Sequence, residues 1–407
     1  MTRRPSRRPL VGAATALLAV LVGGLLLAPA AIDAILGRIA RWKNPVGRPA
    51  PYPASERAVE LHRRLVVVDL HADSLLWGRD LLDRATHGHV DVPRLIEGGI
   101  ALEGLAVNTK VPRRANLDRN DDRHDDVTLL ALAQRWPRST WRSLLARALY
   151  HAARARRMAE RSDGRLTLIA SRDDLTGYLA RRELDRAITA AFLAIEGAHA
   201  LDDDPANVEV LADAGFRMMS PTHFFDNAFG GSAHGIDKGG LTPAGREMVA
   251  RMEARSMIVD VAHASTRTID DILGIATRPV VASHTGLRAS FDSVRNLPDA
   301  QVRGIAATGG LVGIGFWPTA TGGADPASIA RTVRAAVELV GVDHVALGSD
   351  FDGAVPIPFD ATGMVQVTDV LLAEGFDEAQ VGAIMGGNAI RLLAAGLPAD
   401  RPPGDVC

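Results

Sequence analysis

Two polar residues at the end of an apolar run carry the first chemical signal in this chain. The run Val66–Leu70 predicts a buried β-strand, and His71 and Asp73 follow it directly. Residues two apart on an extended strand point to the same side, so the imidazole and the carboxylate are expected to converge. Nitrogen and oxygen donors placed in this way can bind a metal ion. A single His-x-Asp sequence is common, so the prediction depends on what accompanies it.

Polar residues also end several later apolar runs, and these runs define the predicted fold. Helical patterns such as Ser328–Val340 separate them, which predicts alternating strands and helices. The predicted strands are Val66–Leu70, Ala101–Val107, Ala190–Ile195, Arg217–Pro221, Met257–Ala262, Pro279–Ser283, Gly310–Phe316 and His344–Ser349. Eight such units predict an α/β fold, a (β/α)8 TIM-type barrel with an enlarged helical insertion after the second strand. A doubly wound open sheet is the competing fold, but no Gly-x-Gly-x-x-Gly turn follows the first strand.

The residues at the predicted strand ends form a set of metal donors. They are His71, Asp73, Glu196, His263 and His284, and a barrel places all carboxyl ends of its strands at one mouth. Three imidazoles and two carboxylates without cysteine suit Zn²⁺, Mn²⁺ or a similar cation. We expect His71 and Asp73 to hold one ion, His263 and His284 the other, and Glu196 to bridge the two ions.

Two further strand-end residues, His223 and Asp350, complete the cluster. A water between two metal ions becomes acidic enough to act as a nucleophile near neutral pH, which predicts a hydrolytic site. Asp350 would then serve as general base and later as the acid that protonates a leaving amine. The alternative is that each residue is only a hydrogen-bonded polar group at a strand end. Their shared placement over more than half of the chain favours the metal site.

The ordered motifs resemble those of the membrane (renal) dipeptidase family of zinc peptidases, which are amidohydrolase-like barrels. The resemblance extends from about Leu61 to Leu393, and no single motif carries it alone. The matching segments are Val68–Asp73, Ala194–His199, Pro221–His223, Ile258–Ser265, Ser283–Thr285, Arg295–Asp299 and Gly348–Gly353.

The resemblance implies a function and a role for each matching residue. It implies two Zn²⁺ ions per chain on the five donors named above, with Glu196 as the bridging carboxylate. His223 matches a substrate-binding residue that polarises the scissile carbonyl, and Arg295 matches the arginine that binds the terminal carboxylate of the substrate. Asp350 matches the catalytic acid and base. The family hydrolyses dipeptides, often with a D-residue at the C-terminal side, and its members are commonly homodimers.

Substrate identity is less well defined by the sequence than the metal chemistry. The segments Leu102–Thr109 and Gly315–Pro318, which follow or end predicted strands, depart from the family pattern. One alternative is therefore another dinuclear-metal amidohydrolase that acts on a non-peptide amide, a lactone or a phosphoester. A second alternative is a catalytically inactive binding protein on the same scaffold. The complete donor set, together with Asp350, argues against the inactive protein.

The N-terminal segment predicts the location of the protein. Four arginines within the first eight residues precede the uncharged run Pro9–Ile32, which is long enough to cross a bilayer. We expect a membrane anchor that places the catalytic domain outside the cytoplasm; secretion after signal cleavage near Ala28-Pro-Ala30 is the alternative. The predicted domains are 1–43 (signal or anchor), 44–60 (linker), 61–395 (catalytic) and 396–407 (tail).

The overall composition restricts the partners. The net charge of −2 gives no reason to expect nucleic-acid binding. The predicted partners are a dipeptide, from the family resemblance, and the membrane, from the N-terminal apolar run. The basic residues are nearly all arginine, which is typical of bacteria with GC-rich genomes.

Overall fold

The computed structural model describes residues 30–400, and parallel β-strands form the centre of that part of the chain. The strands are β1 (Val67–Ala72), β2 (Ile100–Val107), β3 (Leu166–Leu168), β4 (Thr189–Ile195), β5 (Phe216–Met219), β6 (Ile258–Val259), β7 (Val281–Thr285), β8 (Leu311–Ile314) and β9 (Val345–Leu347). Each of the eight predicted strands overlaps one of these. The short strand β3 is an addition that the apolar runs did not indicate.

The strands form two parallel sheets that are joined at their edges. The first has the order β1-β2-β4-β5-β6, with β3 paired to β4, and the second has the order β7-β8-β9. Single parallel bridges between Asp260 and Val281 and between Ala72 and Phe351 connect the two sheets. The predicted α/β class with a curled parallel sheet is therefore confirmed. A complete eight-stranded barrel and an enlarged insertion after the second strand remain predictions.

Helices follow most strands and cover the sheets. Residues 30–43 are helical, and the later helices are Glu56–Arg64, Val92–Glu97, Asp126–Ala133, Leu144–Arg161, Arg172–Leu184, Asn207–Asp213, Pro243–Ala254, Thr266–Ile275, Asp299–Ala307, Pro318–Thr321, Pro326–Val340, Val365–Ala373, Glu378–Gly382 and Asn388–Gly396. A π-helical turn, Ala383–Gly387, lies between the last two.

The helix Pro326–Val340 illustrates how the local sequence sets the bounds of an element. The Asp325 side chain accepts a hydrogen bond from the Ser328 backbone N–H, and Pro326 occupies the first helical turn, where no N–H is needed. Gly341 ends the helix with φ +85°, which an L-residue rarely adopts. The predicted helix starts two residues later, at Ser328, because an apolar stripe marks the buried face of a helix and not its capped first turn.

Both faces of the central strands are buried. In β4, Leu193 and Ile195 pack in one apolar cluster, while Phe192 and Ala194 pack in another. Burial on both faces is typical of parallel sheets covered by helices, and it explains why the strands read as continuous apolar runs. The apolar runs therefore located the strands but could not show which side chains point towards the site.

The predicted N-terminal membrane anchor is wrong on the evidence of the described chain. Among residues 30–400, no helix has both the length and the apolarity that a bilayer crossing requires. The helix 30–43 carries four charged residues, and Asp33 in it pairs with Arg135 at 2.8 Å. The rest of the apolar run, and most of the proposed cleavage site, lie outside the described residues.

Candidate metal centre

The predicted donors converge at the carboxyl ends of the strands. His71 lies near the end of β1 and His284 near the end of β7, and Glu196 directly follows β4. Asp73 is the first residue after β1, and His263 lies four residues after β6. All five side chains are buried. Their positions follow from the parallel arrangement, because it brings the carboxyl ends of all strands to one edge.

Glu196 lies at the centre of this cluster. Its Oε1 is 3.0 Å from His263 Nε2, 3.4 Å from His284 Nε2 and 3.5 Å from His71 Nε2. Its Oε2 is 3.4 Å from His223 Nε2, and Asp73 Oδ2 is 3.7 Å from His71 Nε2. One carboxylate is thus within reach of four imidazoles, as a residue shared between two ions would be.

The donor chemistry fits metal ions. Three groups have ligand atoms within 4.8 Å of one another: His71 with His284 and Asp350; Glu196 with His223 and His263; and His71 with Asp73 and Glu196. Within residues 30–400, His71 Nε2 and Asp73 Oδ1 are buried without a hydrogen-bond partner. Buried polar atoms usually have partners, so a cation is the natural partner for such a set. His284 is close to the donors of both predicted ions, because it is grouped with His71 and its Nε2 is 3.1 Å from His263 Nε2.

His284 is oriented by residues behind it. Its Nδ1 lies 2.9 Å from Ser283 Oγ, and Ser283 Oγ donates a hydrogen bond of 2.6 Å to Asp260 Oδ2. Asp260 Oδ1 also accepts the Ser283 and Ala262 backbone N–H groups at 2.8 and 2.9 Å. This chain of contacts directs His284 Nε2 towards the centre of the site, as outer residues commonly do for metal ligands.

Asp350 is buried beside the donors, and its backbone is held in an unusual conformation. Its φ is +63°, and its N–H donates to the His71 carbonyl at 3.1 Å. Burial raises the pKa of Asp350 to about 8; Asp73 adds to this rise, while His71 and Arg295 oppose it. His263 has a similar left-handed φ of +64°. Strained backbone of this kind is concentrated at functional sites.

Arg295 is buried beside the metal donors. Its Nη2 donates to the His284 carbonyl at 2.7 Å, and its guanidinium carbon is 5.5 Å from the centre of the Trp317 ring. Burial lowers the pKa of Arg295, and the nearby Asp350 and Glu196 carboxylates raise it. A buried guanidinium beside the cluster can bind an anionic group of a substrate.

Asn108 is a site residue that the sequence did not single out. It is the first residue after β2, and its Nδ2 is 3.2 Å from Glu196 Oε2 and 3.0 Å from His223 Nδ1. Burial lowers the pKa of His223 well below its ordinary value. Asn108 follows β2 as Glu196 follows β4, so its place at a strand end is the sequence signal for it.

Asp352 contacts residues next to the site but none of the metal donors named above. Its carboxylate accepts hydrogen bonds from Ser74 Oγ at 2.7 Å and from the His89 backbone N–H at 2.8 Å, and it pairs with Arg79. Burial alone would raise the pKa of Asp352, but Arg79 and His89 hold it well below its ordinary value. This network joins the segment after β9 to the segment after β1, and so fixes the loop that carries Asp350.

Comparison with known proteins places the whole body of the chain in one family. Residues 55–397 match the family model of membrane dipeptidases, peptidase family M19. A dipeptidase of Claviceps purpurea (strain 20.1), tcpJ, is 28% identical over 321 residues, which cover 75% of this chain and 69% of the relative.

Solved structures with the same fold are also similar to this chain. A metallopeptidase of family M19 described as dipeptidase AC has a TM-score of 0.67 at 25% identity, covering 82% of this chain and 99% of the other. A metallopeptidase from Rhodobacter sphaeroides, liganded with a phosphinate mimic of the dipeptide L-Ala-D-Ala, has a TM-score of 0.66 at 24% identity. It covers 82% of this chain and 99% of its own.

Proposed function

Since this chain belongs to the membrane dipeptidase family, peptidase family M19, and is a metal-dependent dipeptidase, we propose that it hydrolyses dipeptides at a two-zinc centre bridged by Glu196. The observation that carries the proposal is the position of Glu196, whose two oxygens lie 3.0 to 3.5 Å from four imidazole nitrogens. A shared carboxylate of this kind is the usual device that holds two ions together.

The proposed ligands divide around Glu196. His71 and Asp73 would hold one ion, His263 and His284 would hold the other, and Glu196 would be shared between them. Imidazole and carboxylate donors without sulfur suit Zn²⁺, and the resemblance to the zinc peptidases selects it among the cations that such donors bind. When bound, the two ions would supply Lewis acidity that polarises a carbonyl and lowers the pKa of water.

The remaining site residues would act on protons and on the substrate. Asp350 would accept a proton from the attacking water and deliver it to the leaving amine, because its side chain is buried beside the metal donors His71 and His284. His223 would donate a hydrogen bond to the scissile carbonyl, and Arg295 would bind the terminal carboxylate. The contact of Arg295 with His284 fixes the distance between that carboxylate and the metal ligands.

The preferred substrates would be short peptides with a free carboxylate, including those with a D-residue at the C-terminal side. The Rhodobacter sphaeroides protein of similar fold, which holds a mimic of L-Ala-D-Ala, supports this choice. We also propose a catalytic domain over residues 61–395 with a closed eight-stranded barrel. The bridges Asp260–Val281 and Ala72–Phe351 support closure, because they lie where the two sheets meet.

A substrate panel tests the proposed function. The zinc-loaded chain would be assayed against L,L- and L,D-dipeptides, the corresponding dipeptide amides, a lactone and a phosphoester. We expect hydrolysis of the dipeptides and a large preference for the free carboxylate over the amide. Turnover of the lactone or phosphoester without dipeptide hydrolysis would contradict the proposal.

A further inference from the structure

Asn108 occupies a buried position between two residues of the site. It is 5% exposed, and its side-chain NH₂ group faces both Glu196 Oε2 at 3.2 Å and His223 Nδ1 at 3.0 Å. Its Oδ1 is buried without a hydrogen-bond partner within residues 30–400. In this orientation the amide nitrogen faces Glu196 and His223.

The hydrogen atoms of this amide determine the proton position on His223. As a metal ligand Glu196 would be ionised, and an ionised carboxylate can only accept hydrogen bonds, so its contact with Asn108 requires the NH₂ group on that side. The same group has a second hydrogen, which points to His223 Nδ1. That nitrogen must then accept, and a neutral imidazole with Nδ1 as acceptor carries its proton on Nε2.

The surroundings of His223 agree with this tautomer. Its Nε2 lies 3.4 Å from Glu196 Oε2, which again can only accept. The backbone of His223 is held by Ser232, whose Oγ donates to the His223 carbonyl. With the main chain fixed and Nδ1 occupied, Nε2–H is the ring hydrogen that a substrate carbonyl would have to take over from Glu196 Oε2.

We propose that Asn108 is a positioning residue that fixes the Nε2–H tautomer of His223, so that His223 can donate to the carbonyl oxygen of the scissile bond. The inference rests on the proposed function, in which His223 contacts the substrate. In the other tautomer Nε2 would be a lone pair facing the developing negative charge, which would repel it and not stabilise it. Asn108 thus affects turnover through His223 and does not itself contact the reacting atoms.

The tautomer can be observed without any activity measurement. The zinc-loaded protein with ¹⁵N-histidine would be examined by long-range ¹H–¹⁵N NMR, and the His223 signals assigned by their loss in His223→Ala. We expect the wild type to carry the proton on Nε2. In Asn108→Asp, an acceptor replaces the donor and the proton should move to Nδ1. A wild-type proton on Nδ1, or no change in Asn108→Asp, would overturn the proposal.

A double-mutant cycle separates positioning from a general structural role. We expect Asn108→Ala to lower kcat about 10²-fold, as for loss of one oriented donor, with KM within about threefold. In the His223→Ala background, the same change should alter kcat by less than about threefold, because Asn108 would have nothing left to orient. Independent, multiplying effects of the two changes would contradict the proposal.

Asn388→Ala provides the matched control. Asn388 is an equally buried asparagine whose Nδ2 donates to the Val342 and Val345 carbonyls, away from the site. We expect it to lose stability and keep its kcat. Metal content would be measured for every variant, and loss of metal in Asn108→Ala would overturn the proposal in favour of simple support of Glu196. If the wild type hydrolysed no dipeptide, the proposed function would fail, while the NMR result would still decide the tautomer.

Discussion

Replacement of Arg295 by alanine tests whether this site recognises a free carboxylate. Arg295 is buried, contacts the His284 carbonyl at 2.7 Å and lies over Trp317, so its guanidinium is held in place before a substrate arrives. A pair of charge-assisted hydrogen bonds from a preorganised guanidinium contributes about 3 kcal/mol. That energy corresponds to roughly a 10²-fold change in kcat/KM.

The assay compares a dipeptide with its C-terminal amide in both proteins. For the wild type, we expect the amide to be poorer by about 10²-fold, because it lacks the anionic group. In Arg295→Ala, the dipeptide should lose about the same factor, mainly through KM, while the amide should change by less than about threefold. The preference for the free carboxylate would then largely disappear.

The control for this experiment is Arg288→Ala, an exposed arginine in the same loop, which should leave both substrates unaffected. Metal content must equal that of the wild type, since Arg295 also holds the His284 backbone. Equal losses for dipeptide and amide would show that Arg295 acts through His284 and not through the substrate. An unchanged KM for the dipeptide would refute carboxylate recognition and favour another amidohydrolase substrate.

Three further substitutions test the acid–base group and the buried carboxylates. Asp350→Asn should keep its metal and lose kcat by about 10² to 10⁴, and undiminished turnover would remove Asp350 from the mechanism. Asp352→Asn breaks the buried pair with Arg79 and should cost about 3 to 5 kcal/mol in urea unfolding at neutral pH. The pKa of Asp352 is held low in the folded protein, so this contribution to stability is complete above the unfolded pKa of about 3.9 and is lost as the pH falls below it. The difference in unfolding free energy between wild type and Asp352→Asn should therefore shrink in acid. A difference that stays constant with pH would refute the role of the ionised carboxylate. Burial, and after it the neighbouring Asp69, raises the pKa of Glu103, so the folded protein loses stability relative to the unfolded chain as the pH rises above about 4.3. The urea midpoint of Glu103→Gln should therefore rise relative to that of the wild type between pH 5 and pH 8. Parallel pH profiles of the two midpoints would contradict this.

The strands and the metal donors could be predicted because one physical rule governs both. Apolar runs mark parallel strands that are buried on both faces, and the polar residue that ends such a run is held at the edge where the site lies. This rule predicts His71, Glu196 and His284, and the structure brings the imidazoles of His71 and His284 close to Glu196 Oε1.

The contacts of the supporting residues could not be predicted because their partners are distant in the sequence. Asp260 orients His284 through Ser283, and Asn108 reaches His223 across 115 positions, and only the fold shows these contacts. Strand β3 has three residues, too few for an apolar run to identify. The anchor prediction is wrong on the described residues, because none of the helices within residues 30–400 combines the length and the apolarity that a bilayer crossing requires.

The central claim is a two-zinc site, and one combined measurement tests it most directly. Zinc per chain would be determined by elemental analysis on the sample used for dipeptide hydrolysis, before chelation, after chelation and after zinc is returned. The account predicts close to two zinc ions per chain, with hydrolysis lost on chelation and restored by zinc. A folded, zinc-supplied protein that binds no metal, or that hydrolyses dipeptides equally well after chelation, would contradict it.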